Sequence, residues 1–410
     1  MALLKTLLLF FFIAVSSTIN AQNILSGKVI DYESGEVIVG ANVYINNTTI
    51  GCATNKDGVF FIKNVPEGKQ ELVISFVGYD LISYEFISSQ LQKNLDFKLK
   101  KKTHHLNEVI ISGGFRVVTN EPYHWDKFVA TFIGKTPFSD KCIIQNKEDI
   151  ELRLYEKNGL VPVLKAYAKK PIVIINEALG YKIEYDLEQY QSKSFTRNFT
   201  GKAYFTELTD KASKSKTKTR EAAYYGSVTH FLRSVYHNTL KEQGFHLRSI
   251  ERNVNVEKKK YVDRISKMDK NKVQDFFINK NDNLFGDSSS YVRSLLFQPD
   301  FKPDVPSKNL IKESEVKIDN KNGIVVLKAK DSLFSVEYSK PLANIIHRFY
   351  LKNSSSSHES IKSVFRLKPN IEVVINPKIN SVTRGMGLEG FFSNFYGIST
   401  MLPEDFEPSS

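Results

Sequence analysis

The stretch from Gly27 to Tyr79 reads GKVIDYESGEVIVGANVYINNTTIGCATNKDGVFFIKNVPEGKQELVISFVGY, and it decides the fold of the first part of the chain. Short apolar runs with a period of two lie between Gly, Asn, Asp and Pro residues, which favour turns. The pattern predicts strands over residues 27–31, 41–45, 60–63, 72–77 and 95–99, with turns at Asp57-Gly58 and at Pro66-Glu-Gly68. We therefore expect a small antiparallel β-sandwich, in which Gly58 needs a positive φ.

Four short patterns in this stretch also resemble those of a known domain family. They are Gly27-x-Val29, Gly40-Ala-x-Val43, the Gly51–Phe60 element and Gly78-Tyr79. The segment resembles the carboxypeptidase regulatory-like domain, a seven-stranded sandwich of the prealbumin type. Val39 stands where that family usually has Pro, Cys52 where it has Thr, and Asn55 where it has Asp. The resemblance implies an accessory module and does not imply peptidase activity.

Residues 1–21 have the features of a secretory signal peptide. Lys5 is followed by an apolar run from Leu7 to Val15, and Ala21 is a small residue at the expected cleavage position. The run is too short to span a bilayer, which takes roughly 20 residues. We expect the mature chain to begin at Gln22 and to function in the periplasm, at the outer membrane or at the cell surface.

Composition and charge narrow the possible partners. Of the 410 residues, 41% are hydrophobic and 25% charged, which is ordinary for a globular protein, and the formal net charge is +12. An export signal argues against nucleic acid as a partner. A basic exported protein could instead contact anionic glycans or lipid head groups, including those of the outer membrane.

The order of segments predicts residues 22–101 as the regulatory-like sandwich, 102–120 as a linker and 121–410 as a larger region. In the linker, the segment from Leu106 to Gly114 resembles the connector that follows the same domain in TonB-dependent outer-membrane receptors. The remaining chain is too short to supply both the plug and the membrane domain of such a receptor. This resemblance leaves open a role as an accessory partner of TonB-linked uptake.

Periodicity predicts the larger region to be β-rich α+β, so that the fold class of the whole chain is mainly β. Helices are expected at residues 122–134 and 220–243, and Lys211–Thr219 is expected to be a solvated loop. Asp319-Asn-Lys-Asn-Gly323 is a hairpin-turn pattern. Strands are expected at residues 161–168, 172–175, 181–190, 200–206, 315–318, 323–329, 335–338, 345–351, 363–367 and 371–375.

Four further patterns occur in this region: Phe132-Ile-Gly134, Asn176-x-x-Leu-Gly-Tyr181-x-Ile183-x-Tyr185, Gly226-Ser-x-x-His230-Phe-Leu and Leu402-Pro-x-Asp405-Phe406. They are placed as in a broad group of exported bacterial proteins that are usually named only for their N-terminal regulatory-like domain, and the region resembles that group. The resemblance implies no reaction and no ligand.

Candidate chemistry is sparse. His105-Leu-Asn-Glu108 matches the His-x-x-Glu of zinc carboxypeptidases, with His230 or His237 as a distant third ligand. The motif lies in the expected linker, so we predict no metal site and no cofactor. His230, Arg233 and His237 share a helix face, which we expect to be a solvated polar surface. Asp331-Ser-Leu333 fits a short O-glycosylation motif of some bacteria.

Cysteine usage adds little. Cys52 and Cys142 fall in different predicted regions, so two separate buried thiols are expected rather than a disulfide. No P-loop, Gly-x-Ser-x-Gly or His-Glu-x-x-His occurs in the sequence. We therefore predict no catalytic or cofactor-binding residues, and a non-enzymatic exported protein that binds a protein or glycan component of the envelope. A hydrolytic enzyme of the envelope with a site that these motifs miss is the alternative.

Overall fold

The computed structural model describes residues 24–91, 94–102, 115–155, 162–193, 196–209, 213–251, 254–269, 272–273, 276–277, 284–298, 300, 305–319, 325–327, 333–340, 344–353, 361–367, 373–375, 386–391 and 397–409. The predicted signal segment and most of the predicted linker lie outside these ranges. In them the chain is mainly β, as the sequence predicted. No helix of the described ranges combines the length and the apolar character that crossing a bilayer requires.

Two small sheets share one apolar core in the first part of the chain. One has the strand order β4-β1-β7 and the other β3-β2-β5-β6. Val29 and Phe60 from the first sheet pack with Val43 and Leu72 from the second, so the alternation seen in the sequence separates core from surface. The strands are β1 (Leu25–Asp31), β2 (Asn42–Ile45), β3 (Gly51–Ala53), β4 (Val59–Ile62), β5 (Lys69–Ser75), β6 (Ile82–Ile87) and β7 (Leu95–Leu99).

The sandwich departs from the prediction in two respects. The periodicity of the sequence did not indicate β3 or β6. The pairing of β1 with β7 is parallel, with Val29 opposite Phe97, whereas an antiparallel sandwich was expected. Every other strand pair of the sandwich is antiparallel.

The turn before β4 accommodates Asn at position 55, where the family usually has Asp. The Asn55 side-chain oxygen accepts hydrogen bonds from the backbone N–H groups of Asp57 (3.0 Å) and Val59 (2.9 Å). An amide oxygen serves this turn as well as a carboxylate would. Gly58 has φ +72°, which confirms the predicted positive φ.

A seven-stranded antiparallel sheet begins the second region. Its order is β8-β10-β11-β13-β12-β9, and β14 pairs along the length of β13. The predicted strands over 161–168, 172–175, 181–190 and 200–206 are confirmed within the described residues. The strands are β8 (Phe115–Val117), β9 (Cys142–Ile144), β10 (Ile150–Tyr155), β11 (Val163–Ala168), β12 (Ile172–Asn176), β13 (Tyr181–Lys193) and β14 (Thr196–Glu207).

Two further sheets follow, one with the order β16-β15-β19-β20-β22 and one with the order β17-β18-β21. Asp319 pairs with Val325 across β17 and β18, and the predicted hairpin turn between them lies mostly outside the described residues. The strands are β15 (Phe245–Glu251), β16 (Val305–Leu310), β17 (Lys317–Asp319), β18 (Val325–Leu327), β19 (Leu333–Tyr338), β20 (Ile361–Leu367), β21 (Val373–Ile375) and β22 (Met386–Gly390).

The helices differ from prediction more than the strands do. The helix predicted over 122–134 is confirmed, whereas the one predicted over 220–243 is three helices, broken at Gly226 (φ +80°) and Asn238 (φ +56°). Residues 345–351 are helical, so the predicted strand there is wrong. The helices are α1 (Pro122–Phe132), α2 (Lys214–Tyr224), α3 (Val228–His237), α4 (Leu240–Gln243), α5 (Val256–Ile265), α6 (Ser289–Phe297), α7 (Glu313–Val316) and α8 (Ile345–Asn353).

Residues in or next to three short patterns noted in the sequence contact the C-terminal segment, residues 397–407. The Asn176 side-chain amide donates to the backbone oxygen of Ser399 (3.1 Å), and the Ser399 N–H donates to the carbonyl of Ile133 (2.9 Å). Arg233 donates to the backbone oxygens of Glu404 (2.6 Å) and Phe406 (2.8 Å). These hydrogen bonds hold the C-terminal segment against β12, the end of α1 and helix α3.

The sandwich contacts the second region through hydrogen bonds, an ion pair and a pair of stacked rings. The Tyr44 hydroxyl donates to Asp186 (3.0 Å), and the Tyr44 ring stacks on Tyr204 at 5.0 Å between centroids. Lys202 bonds Glu71 (2.6 Å). Because the apolar cores of the two parts are separate, these contacts set how the parts are oriented.

Candidate functional site

A cleft of about 780 Å³ opens between the seven-stranded sheet and helices α2 and α8. We call it the basic cleft. Its walls are the loop before β9, the turn after β12, one side of α2, and the facing parts of β19 and α8. The lining residues are Pro137, Phe138, Lys141, Glu177, Ala178, Ser215, Lys216, Lys218, Thr219, Glu221, Ala222, Tyr225, Tyr338, Asn344, Ile345 and His347.

Helix α2 presents most of the charged groups of the cleft. It begins after Ser213, whose side-chain oxygen accepts from the backbone N–H of Lys216 (3.3 Å) and so caps the first turn. Lys216, Lys218 and Glu221 then line the cleft. The predicted solvated loop over 211–219 is therefore wrong from residue 213 onward, because the cap and the sheet behind it stabilise a helix that sequence polarity does not reveal.

Arg220 fixes this helix to the sheet. Its guanidinium donates to both carboxylate oxygens of Glu207 (2.9 and 2.6 Å) and to the carbonyl of Leu179 (2.7 Å). It also lies 4.0 Å from the centroid of the Tyr181 ring. A bidentate contact with a carboxylate holds a planar guanidinium in one orientation. The buried side of α2 is thereby fixed, and the cleft-facing lysines project from a rigid support.

Gly226 ends α2 and brings two buried histidines together. The His230 Nδ1 atom accepts from the Gly226 N–H (3.0 Å), and its Nε2 atom pairs with Gln243 Oε1 (3.1 Å). His347 hydrogen-bonds the backbone of Tyr225, and its Nδ1 atom is buried with no hydrogen-bond partner among the described residues. Both rings are nearly inaccessible, with 3% of His230 and 1% of His347 exposed.

Burial controls the protonation of both histidines. Desolvation lowers the pKa of His230 to about 4, against the smaller opposite effect of its hydrogen bond to Gln243. Desolvation likewise lowers the pKa of His347 to about 4, although its bond to the Tyr225 backbone favours the charged form. Both rings are therefore neutral at pH 7 and add no positive charge to the cleft.

The lysines of the basic cleft are available for an incoming anion. Lys141, Lys216 and Lys218 form no ion pair with any described residue, and the same holds for Glu177 and Glu221. Three ammonium groups and two carboxylates leave the cleft with a net positive charge. Their chain positions are far apart, so no local motif in the sequence could have identified this set.

The residues that the sequence offered as candidates for chemistry lie either outside the described ranges or in surroundings other than those expected. His105 and Glu108 lie outside the described residues, as do Asp331 and Ser332. Of the helix face formed by His230, Arg233 and His237, only His237 is exposed. The expectation of a solvated face is wrong for the other two, because the C-terminal segment and β19 cover them.

The cysteines are unpaired, as expected, and each is half-buried rather than fully buried. Burial raises the pKa of the Cys142 thiol to about 12, so this thiol is protonated at neutral pH. Within the part of the chain that the structure describes, no group of three His, Cys, Asp or Glu side chains is placed to hold a metal ion.

Comparison with known proteins bears on the first part of the chain. The family model of the CarboxypepD_reg-like domain matches residues 25–111, which confirms the resemblance of this part of the chain to a carboxypeptidase regulatory-like domain. The match covers the sandwich and ends before the seven-stranded sheet begins. No curated protein sequence matches the chain.

Proposed function

We propose that this chain is an exported, non-enzymatic protein of the cell envelope that binds an acidic glycan fragment in the basic cleft. The observation behind the proposal is the convergence of Lys141, Lys216 and Lys218, none of them ion-paired within the described chain, on one concave site. The signal-like segment at residues 1–21 supports export. The periplasm and the outer membrane are the compartments in which we expect the protein to act.

The dimensions of the cleft favour a small ligand over a folded protein. Its volume of about 780 Å³ lies within the range of roughly 300–1,000 Å³ that small-molecule sites occupy. Among envelope components, a short oligosaccharide fits such a space, whereas a protein surface would need a broad and flatter contact area.

The chemistry of the lining suits a sugar acid. Tyr225 lines one wall, is 36% exposed and supplies apolar ring surface for the C–H face of a sugar. The lysine ammonium groups would bind a carboxylate or phosphate on the ligand. Glu177, Glu221 and Thr219 offer oxygens that accept bonds from ligand hydroxyl groups.

Binding to defined oligosaccharides tests the proposal. Titration calorimetry with the full mature chain should detect an acidic oligosaccharide and show much weaker binding of its neutral counterpart. Lys216→Glu and Lys218→Glu should each weaken binding by about tenfold or more, because a charge-assisted hydrogen bond contributes about 1.5–3 kcal/mol.

Lys214→Glu is the matched control. Lys214 begins the same helix and is exposed, but it does not line the cleft. Equal weakening by the substitutions at 214, 216 and 218 would show a general charge effect and would contradict a cleft site. Chromatography of the recovered oligosaccharide should show it unchanged, and cleavage products would instead support the hydrolytic alternative.

A further inference from the structure

Helix α5 lies on the surface and buries none of its residues. Tyr261 and Ile265 are half-buried on its inner side. Its first residue, Val256, is 72% exposed, and the last residue of the neighbouring α6, Phe297, is 82% exposed. Two large apolar side chains are thus held in water at one end of this helix pair.

Hydrogen bonds and an ion pair join the two helix ends that carry these apolar side chains. Asn255, which precedes Val256, bonds the side chain of Gln298, which follows Phe297, at 3.4 Å. The Asn255 N–H donates to the carbonyl of Asp300 (2.9 Å). Lys258 bonds the Gln298 carbonyl and forms an ion pair with Asp300 (2.7 Å). The start of α5 is therefore fastened to the end of α6, and we call Val256 with Phe297 the apolar tip.

Basic residues follow the apolar tip along the outer side of α5. Lys259 and Lys260 lie three and four residues after Val256, so they share its face of the helix, and Lys267 follows in the turn after α5. All three are exposed and form no ion pair with a described residue. Asp263 is an acidic residue on the same face, so the face is positively charged overall.

We propose that this face, the apolar tip with Lys259, Lys260 and Lys267, docks on an anionic lipid bilayer. Apolar side chains that enter the headgroup boundary next to lysines that meet lipid phosphates are the combination by which surface helices bind membranes. A soluble anionic polysaccharide would satisfy the lysines but would leave Phe297 and Val256 in water. An anionic bilayer offers phosphates to the lysines and an apolar boundary to Val256 and Phe297, so it fits this surface better than a polysaccharide does.

Vesicle sedimentation with the full mature chain tests this inference. Vesicles of phosphatidylethanolamine with phosphatidylglycerol should bind the chain, and phosphatidylcholine vesicles should bind it far more weakly. Replacing Lys259, Lys260 and Lys267 together by Gln should weaken binding to the anionic vesicles roughly 100-fold, at about fivefold for each lysine near the surface. Raising the salt concentration should also weaken it.

A second variant tests the contribution of the apolar tip. Val256→Ser with Phe297→Ser should weaken binding to anionic vesicles by about tenfold or more, because the two side chains no longer enter the headgroup region. These positions are exposed, so the thermal unfolding midpoint should stay near that of the unmodified chain. Tyr123→Ser is the control, since Tyr123 is 72% exposed on α1, a helix that is not part of the proposed face.

A charge-matched control separates the surface from net charge. Lys28, Lys56 and Lys63 are exposed on the sandwich, and replacing all three by Gln removes the same charge. This variant should bind anionic vesicles within about twofold of the unmodified chain. Equal loss in both triple variants would overturn the proposal. So would binding of delipidated anionic polysaccharide without binding of vesicles, because the partner would then be a glycan.

Discussion

Replacing Gly226 by Ala tests whether the break between α2 and α3 positions the histidines at the back of the cleft. An Ala at φ +80° costs about 1–2 kcal/mol, because its Cβ is crowded in the left-handed region. Its Cβ would also lie 2.7 Å from His347 Nε2 and 3.0 Å from a carbon of the Tyr338 ring. Both rings are buried, so neither can move away freely, and overpacking of this kind costs about 1–3 kcal/mol. We expect a total loss of about 3 kcal/mol in the free energy of unfolding.

Gly134→Ala provides the comparison. Gly134 also has a positive φ, +96°, but a Cβ there would meet its nearest neighbour, Ser399 Oγ, at the ordinary contact distance of 3.4 Å. Gly134→Ala should therefore show only the conformational cost, about 1–2 kcal/mol. Equilibrium unfolding in urea measures both variants, with fluorescence of Trp125 as the probe, since this single tryptophan packs against the main core.

A double variant tests whether the ring of His347 packs against position 226. His347→Ala removes the ring that the new methyl group would meet, so it should relieve part of the damage caused by Gly226→Ala. We expect a coupling free energy of about 1–2 kcal/mol between the two substitutions. Coupling near zero, or equal losses for Gly226→Ala and Gly134→Ala, would show that the ring of His347 does not pack against position 226.

Two further predictions concern acid and the sandwich. His230 and His347 titrate near pH 4 in the folded chain and near 6.5 when unfolded, so the unfolded state binds more protons between these values. The free energy of unfolding should fall by about 3 kcal/mol for each of the two histidines as the pH drops from about 6.5 to about 4. In urea titrations, His230→Asn keeps only His347 of the two, so its free energy of unfolding should fall by about half as much as that of the unmodified chain over this pH range. Gly58→Val should cost about 3 kcal/mol or more, because a Cβ there would lie 2.8 Å from the carbonyl oxygen of Val29. Calorimetry should show little change in Gly40→Val beyond the cost of its own positive φ, and an equal loss would refute the close contact at Gly58.

Local patterns in the sequence predicted a sandwich and five of its seven strands. Alternation along strands such as β1 and β7 gives each side chain a fixed face, and Gly58 at positive φ could be expected from the turn around it. These are local properties of the backbone, so they need no knowledge of distant residues. The parallel pairing of β1 with β7 was missed, because alternation fixes which side of a strand is buried but not its partner.

Tertiary structure decided the helices around the cleft. Residues 345–351 alternate well enough to suggest a strand, yet Ile346 and His347 are buried on one side of a helix whose second residue is capped by the Asn344 side-chain oxygen (2.9 Å to the Ile346 N–H). The break at Gly226 depends on the packing of His230 and His347 around it. The Asn344 cap is a local signal, but the burial of His347 beside Gly226 joins positions 121 residues apart, and no local pattern indicates that contact.

Contacts between distant segments also explain why the candidate site could not be predicted from the sequence. Arg233 was expected in water on a polar helix face, but it is buried because its guanidinium satisfies backbone oxygens of a segment about 170 residues later. Lys141, Lys216 and Glu177 form one cleft only after β9, β12 and α2 have packed. A local pattern specifies which groups a chain offers. Only the folded core brings those groups to within reach of one ligand, because it fixes distances that the sequence leaves open.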